Sequence, residues 1–317
     1  MKQKENHKPI HLGRFRQIFL CLSTQVRAFF FMDDWKVIPM TILVAGMVAY
    51  VTARGMFGSM EGTLKGALAL SCVCVWNGFF NSIQVVCRER DVIKREHRNG
   101  MFISSYIFSH MIMQAFLCIL QVMITLIVCR VGGMDFPKTG FFGGSFYIEI
   151  GITLFLVTYT SDMLSLFISC IAKSTTTAMT AMPFMLIFEL VFSNVIFKVG
   201  SKLNFVTNLS FAKWGVQCIA AQSNYNSLPM TSVWNMMDKV RDAEIFGLKP
   251  VDEIMTAITD SGQVNQFNLM VGSYNTVDQY NTTFWNIMNC WYTLILFSII
   301  LAVLCIIVLH QIDKDKR

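Results

Sequence analysis

Residues 88–100 read RERDVIKREHRNG and carry eight charged side chains, five of them Lys or Arg. This segment separates two apolar stretches, 65–87 and 101–129. Each is long enough to cross a membrane, because a hydrocarbon core about 30 Å thick needs roughly 20 residues of helix. The charged segment therefore lies at a membrane face, and its basic residues predict that this face is cytoplasmic. We expect a short helix here that contacts another protein.

The composition of the chain is that of an integral membrane protein. It has 317 residues, 54% of them hydrophobic, and a mean hydropathy of +0.50. Only 15% of the residues are charged, against roughly 25% in a soluble domain. The net charge of +6 is typical of basic cytoplasmic ends and loops, so we predict membrane lipids as partners and no nucleic acid.

Six apolar segments predict an all-α membrane domain over residues 37–310. The predicted spans are 37–57, 66–86, 104–129, 146–171, 178–197 and 287–310. Of the 26 Lys and Arg residues, 16 lie in the ends and linkers assigned to the inside, which predicts cytoplasmic termini in the plasma membrane. Polar tails are predicted at 1–11 and 311–317.

Two other segments have patterns of their own. Residues 12–36 carry an apolar stripe and a cationic face, which is typical of a helix lying in the membrane interface. Residues 198–286 are long and mostly polar, and they predict a folded external cap with a re-entrant segment at 209–221. Cys218 and Cys290 fall in or near this cap and are candidates for a disulfide.

The sequence lacks the motifs of several enzyme classes. It contains no GxxxxGK[ST] loop for nucleotide phosphates, no HExxH motif and no GxSxG motif. We therefore predict a protein that is not an enzyme, that holds no metal or cofactor, and that takes any energy it uses from a partner.

The charged segment also carries a detailed pattern that continues into the next apolar stretch. The residues of this pattern are Glu89, Arg95, Glu96, Gly100, Met101, Phe102, Ser104, Ser105 and Tyr106. The pattern resembles the loop after the second span in the G subfamily of ABC transporters. A weaker likeness covers 165–194, where Asn194 stands in place of a usual Gly, and 207–226, where Phe211 stands in place of a usual Pro. Residues 12–32 are similar to the connecting helix of that subfamily.

The resemblance implies a membrane subunit of an ABC exporter in which the charged segment is a coupling helix. A short tail precedes the spans here, as in bacterial type-2 export permeases that have a separate ATPase. The implied partners are two ATPase subunits, which bind ATP and Mg, and a second permease subunit, the same or related. The predicted ATPase contacts, with Glu96 as a buried acid, are Glu89, Arg90, Lys94, Arg95, Glu96, His97, Arg98 and Gly100. Judged on charge alone, the segment also fits an ordinary solvated loop.

Polar and aromatic residues inside the spans are candidates for a substrate pathway. Ionisable groups at membrane depth are unfavourable unless they face protein or water. The candidates are Asn77, Phe80, Phe184, Phe188, Glu189, Phe192 and Asn194. Glu189, predicted near mid-span among phenylalanines, would suit a cationic or amphipathic substrate. The alternatives are interhelical hydrogen bonds for the polar residues and, for Glu189, a protonated carboxyl at a dimer seam.

The function predicted from the sequence is outward transport of a hydrophobic or amphipathic substrate by alternating access. One alternative is a sensory or scaffold subunit of an export complex, a role that the large external cap would suit. Another is an intramembrane lipid-linked transferase, which would use acidic and histidine side chains placed together near one interface. Its candidate residues, which show no recognisable spacing, are His110, Asp135, Glu149 and Asp162.

Overall fold

The computed structural model describes residues 13–32, 34–53, 55–197, 200, 203–244 and 248–311. These residues form helices joined by turns, and no β-strand occurs among them, which confirms the all-α class. The predicted tail 1–11, and residues 312–317 of the predicted C-terminal tail, lie outside the described part.

The helices are numbered α1 to α13 in chain order. They are α1 (Arg14–Phe31), α2 (Val37–Thr52), α3 (Met60–Ser82), α4 (Val85–Arg98), α5 (Ile103–Val131), α6 (Phe146–Ile171), α7 (Thr175–Phe192), α8 (Asn204–Thr207), α9 (Phe211–Gln222), α10 (Ser232–Lys239), α11 (Pro250–Asp260), α12 (Val264–Ser273) and α13 (Phe284–His310). Within the described residues, six segments are long and apolar enough to cross a membrane, as predicted, and they contain α2, α3, α5, α6, α7 and α13.

The predicted ends of the first and fifth spans are wrong. The first span ends at the end of α2 and not at Phe57, and the fifth ends with α7 and not at Phe197. Left-handed backbone, which does not continue a right-handed helix, follows each of these helices. Gly55 and Phe57 have φ angles of +109° and +63°, and Asn194 has a φ angle of +61°.

Hydroxyl side chains at the helix starts fix four of the helices. The side-chain oxygens of Ser59, Ser174, Ser210 and Thr283 each accept a hydrogen bond from a backbone N–H three residues later, at 3.2, 3.2, 3.3 and 3.4 Å. Such caps satisfy donors that a helix leaves unpaired at its first turn. The starts of α3, α7, α9 and α13 are therefore set by local sequence.

Helices α3 and α6 pack against each other at the centre of the bundle. Phe79, Leu154 and Leu166 are fully buried there. Gly78 makes the close approach, because a Cβ at this position would lie 2.4 Å from the Thr158 carbonyl oxygen. The Ser165 hydroxyl donates to the Gly78 carbonyl at 3.2 Å, so the two backbones are joined at this point.

One end of the bundle carries α9 and a group of short helices. Almost every residue of α9 is buried, in contact with α3, α6 and α13. Helices α10, α11 and α12 contact one another and are attached to the start of α3. The Glu61 carboxylate of α3 accepts hydrogen bonds from the backbone N–H groups of Ser232 at 2.7 Å and Thr231 at 3.3 Å.

The opposite end carries α1, α4 and the last turn of α13. Helix α1 packs along α5 and leaves Phe15, Phe19 and Phe31 exposed. The rings of His97 in α4 and His310 in α13 lie 6.0 Å apart. The charged helix and the C-terminal end of the last span therefore lie at the same face of the bundle.

Candidate functional site: the charged helix α4 and its supports

Helix α4 follows α3 after a two-residue break and has one apolar and one charged face. Val86 and Ile93 are buried against the bundle. The opposite face is exposed, and it carries Asp91 and Arg95. An amphipathic helix of this kind is held by its apolar face and presents its charges away from the bundle.

The first turn of α4 is joined to the last turn of α6. The Ser169 hydroxyl accepts hydrogen bonds from the backbone N–H groups of Val86 and Cys87 at 3.1 and 3.2 Å. In return, the Arg90 guanidinium donates to the carbonyl oxygens of Cys170 at 3.0 Å and Ala172 at 3.1 Å. Each helix thus satisfies backbone groups that the other leaves unpaired at its end, and the positive charge lies at the negative end of the α6 dipole.

Two charged residues attach α4 to its other neighbours. Arg88 forms a bidentate ion pair with Asp34, with N–O distances of 2.7 and 3.1 Å. The Tyr106 hydroxyl of α5 donates to the Glu89 carboxylate at 2.8 Å. Bidentate Arg–carboxylate pairs fix relative orientation as well as distance, so the chain before α2 sets the angle of α4.

The end of α4 is a tight turn locked by α1. Gly100 has a φ angle of +104°, its N–H donates to the His97 carbonyl at 3.1 Å, and the next N–H, of Met101, donates to the Glu96 carbonyl at 3.0 Å. This is the Schellman pattern, which favours glycine at the left-handed position. Gln17 of α1 holds the turn on both sides.

The amide of Gln17 makes two hydrogen bonds to the turn between α4 and α5. Its Nε2 donates to the Gly100 carbonyl at 3.2 Å, and its Oε1 accepts from the Phe102 N–H at 2.9 Å. The Arg14 guanidinium lies over the Phe102 ring, 4.9 Å from its centroid. Helix α1 is therefore connected to the end of α4 through two backbone groups of the turn.

The predicted role of Glu96 as a buried acid is wrong for this chain. Glu96 is exposed, two turns after Glu89 on the same side of the helix. The acid that is half-buried at the junction is Glu89, one turn from the start of the helix. Arg95 and Arg98 are exposed as well, whereas Arg90, Lys94, His97 and Gly100 are half-buried.

Sequence reasoning missed three of the residues that hold α4. They are Gln17, Asp34 and Ser169, which come from three different segments. Each residue is of a type that is common in the segment to which it belongs, so none of them stands out in the sequence. Only the three-dimensional arrangement shows what they bind.

The proposed substrate-pathway residues do not meet in one cavity of the described structure. Asn77 is buried, and its Oδ1 accepts from the Thr41 hydroxyl at 3.3 Å. Phe80 is half-buried against Trp76, with ring centroids 5.1 Å apart. Phe184 is 74% exposed on the outer surface. Phe188 and Phe192 contact each other at 4.8 Å between centroids.

Glu189 does not lie at mid-span but in the last turn of α7. Its side chain is buried, and its Oε2 accepts hydrogen bonds from the Ser210 hydroxyl at 2.8 Å and the Ala212 N–H at 2.9 Å. The carboxyl therefore caps the start of α9. Asn194, in the turn that follows α7, takes the left-handed conformation that the usual glycine would take.

We expect Glu189→Leu to destabilise the protein by about 2 kcal/mol, because it leaves the buried Ala212 N–H without a partner. Glu189→Gln keeps an acceptor oxygen and should be close to wild type in an unfolding titration. The same pair of variants tests the pathway hypothesis: a normally stable Glu189→Gln protein with lost transport would indicate that the charge itself contacts substrate.

The candidate disulfide cysteines and the candidate acid Glu149 have contacts that stabilise the fold. Cys218 and Cys290 are free thiols, buried in one cluster with Ala221 and Ile287, so the candidate disulfide is not formed in this structure. The Glu149 carboxylate accepts from the N–H groups of Phe141 and Phe142, at 2.9 and 2.8 Å.

The acids and histidine of the transferase hypothesis do not form a cluster. Asp135 pairs with Arg130 at 3.1 Å, just beyond the end of α5. His110 lies near the start of the same helix, so the length of a span separates them. Among the described residues, no group of His, Cys, Asp and Glu could hold a metal ion.

A bundle of six candidate spans with a charged helix fixed at one face defines a multi-pass membrane protein. A comparison with protein-family models gives the family: residues 16–222, more than half of the chain, match the ABC-2 type transporter. The chain belongs to this family and is a permease component of such a transporter. The matched segment runs from α1 to the end of α9 and includes α4 and all its supports. A comparison with curated protein sequences found no match.

Proposed function

We propose that this permease moves a hydrophobic or amphipathic substrate outward, driven by a separate ATPase that docks on α4. The observation that carries the proposal is that α4 is fastened to α1, α5 and α6 while its charged outer face is exposed. A helix held in this way moves together with its supports. A force applied to its outer face therefore reaches the spans.

The proposed cycle is alternating access between an inward and an outward state. Closure of the ATPase on ATP and Mg displaces α4, and the spans attached to it rearrange. By linkage, the substrate must bind the two states with different affinity for hydrolysis to drive transport. The ATPase binds the nucleotide in this proposal, and the present chain supplies the docking helix and the pathway.

The proposed complex contains two ATPase subunits and two permease subunits, identical or related. It lies in the plasma membrane with both termini in the cytoplasm. The location of both termini on the same side of the membrane is supported by the common position of α1, α4 and the end of α13 at one face of the bundle. The basic residues of that face agree with the positive-inside rule.

The docking role of α4 is tested by reversing the charge of Glu96, an exposed acid of this helix. We expect Glu96→Lys to abolish co-purification of the ATPase, and substrate-stimulated ATP hydrolysis, without loss of membrane insertion. The mechanism is like-charge repulsion at an interface, which acts on association more than on folding. The measurement is pull-down from native membranes, followed by hydrolysis assays.

Glu253→Lys is the matched control, because Glu253 is an exposed acid on α11, in the cap. It should behave as wild type in both assays. Normal stimulation in the Glu96→Lys complex would refute the docking assignment. If an ATPase co-purifies with wild type but no substrate stimulates it, the folded cap favours the alternative of a sensory or scaffold subunit.

A further inference from the structure

A small polar cavity lies beside the charged helix, between α1, α3 and α5. Its volume is about 70 Å³, which exceeds the space needed for one water molecule. Gln25, Asn81, His110 and Gln114 supply its uncharged polar lining, and Asp34, Arg88 and Glu89 supply charged groups. We call it the polar niche.

The polar niche contains buried atoms with unused hydrogen-bonding capacity. His110 and Gln114 are 3% and 5% exposed, and His110 Nε2 and Gln114 Oε1 have no hydrogen-bond partner in the described part of the chain. The Oε1 atom of Gln25 is buried and unpartnered too, while its Nε2 donates to Ser109 at 2.8 Å. Buried polar atoms in native proteins are nearly always paired. Three such atoms around one cavity point to a ligand that bonds to them.

An apolar groove of about 460 Å³ adjoins the polar niche. Phe29, Met113 and Leu117 line both the niche and the groove, so the two spaces are neighbours that share these side chains. The groove passes Trp35, which is 43% exposed, and Phe116, which is 67% exposed on α5. The groove lies between α1, the start of α2 and the first half of α5. A polar niche beside an apolar groove fits an amphipathic ligand with a small head and a long chain.

The niche selects the chemistry of the head. The two unpartnered amide oxygens, of Gln25 and Gln114, accept hydrogen bonds and therefore require a donor. Two carboxylates and one guanidinium line the niche, and the Arg88 charge is already paired with Asp34. The formal balance is negative, which favours a cationic head and disfavours a free anionic one.

We propose that the polar niche and the apolar groove together bind one aminophospholipid of the membrane. The primary ammonium of its head lies in the niche and donates to Gln25 and Gln114, and one acyl chain lies along Phe29, Met113 and Leu117. The bound lipid connects α1 with α5 at the point where both support α4. This proposal does not depend on which substrate is transported.

The test uses the full chain reconstituted in vesicles of equal phosphatidylethanolamine and phosphatidylglycerol. The protein is re-extracted in detergent, and its retained lipid is counted by native mass spectrometry. Wild type should retain phosphatidylethanolamine in preference to phosphatidylglycerol. Gln114→Leu should retain about fivefold less phosphatidylethanolamine, the effect of one lost hydrogen bond. Met113→Trp should lose it by filling the groove.

Met123→Trp is the matched control, since Met123 is an exposed methionine of α5 that does not line the niche or the groove. It should retain lipid as wild type does. The two test variants act on different parts of the site, so a folding failure of one leaves the other informative. Equal retention in all four proteins overturns the site. Retention of phosphatidylglycerol as strongly as phosphatidylethanolamine overturns the head assignment.

Discussion

Gly78→Ala should destabilise the folded permease by about 2–3 kcal/mol, the upper part of the range typical of overpacked cores. The added methyl group would lie 2.4 Å from the Thr158 carbonyl oxygen and 2.8 Å from the Asp162 nitrogen. Both atoms belong to the α6 backbone, so no side chain can rotate away. The steric clash is relieved only if α3 and α6 move apart, and these two helices form the centre of the bundle. The measurement is denaturant unfolding in micelles, followed by tryptophan fluorescence.

Gly46→Ala in α2 is the control, because a Cβ there meets only a Val128 methyl carbon at 3.9 Å. We expect its unfolding midpoint to stay near that of wild type. A Gly78→Ala protein with an unchanged midpoint would mean that α3 and α6 are not held together as closely as the structure has them. Equal losses in both variants would point to an effect of glycine replacement in spanning helices generally.

Hydrophobicity and charge were sufficient to predict the number of spans and the position of α4. A span is a property of about 20 neighbouring residues, and a cluster of eight charges between two spans leaves one arrangement. The span ends were less predictable. Asn194 takes the left-handed conformation just after α7, and asparagine indicates such a turn less clearly than glycine does.

The roles of individual acids could not be read from the sequence. Glu96 matched a family pattern, but Glu89 is the acid that reaches Tyr106, whereas Glu96, two turns later on the same side of α4, is exposed. Glu189 stood among phenylalanines and suggested a binding site. Its partner, the start of α9, is more than twenty residues away. Capping contacts between distant segments have no local signal, because each segment alone has ordinary composition.

The structure separates two requirements for coupling, namely docking of the ATPase and transmission of its movement. The exposed part of α4, with Glu96, serves docking in the proposed function. Transmission depends on the joint between α4 and α6, where Arg90 donates to two carbonyl oxygens and Ser169 accepts from two N–H groups. A variant of the joint should therefore leave docking intact.

We expect Arg90→Ala to lower transport by about 10- to 100-fold, because charge-assisted hydrogen bonds of this kind contribute roughly 1.5–3 kcal/mol. The ATPase should still co-purify, since the outer face of α4 is unchanged, but its hydrolysis should no longer respond to substrate. Arg241→Ala, which removes an arginine paired with Asp252 in the cap, should leave both activities intact. Transport at the wild-type rate in Arg90→Ala would show that α6 does not receive the movement of α4. If the ATPase were also lost from Arg90→Ala, as expected for Glu96→Lys, docking and transmission would not be separate. The contact with α6 would then be needed to hold α4 in the position in which the ATPase binds it.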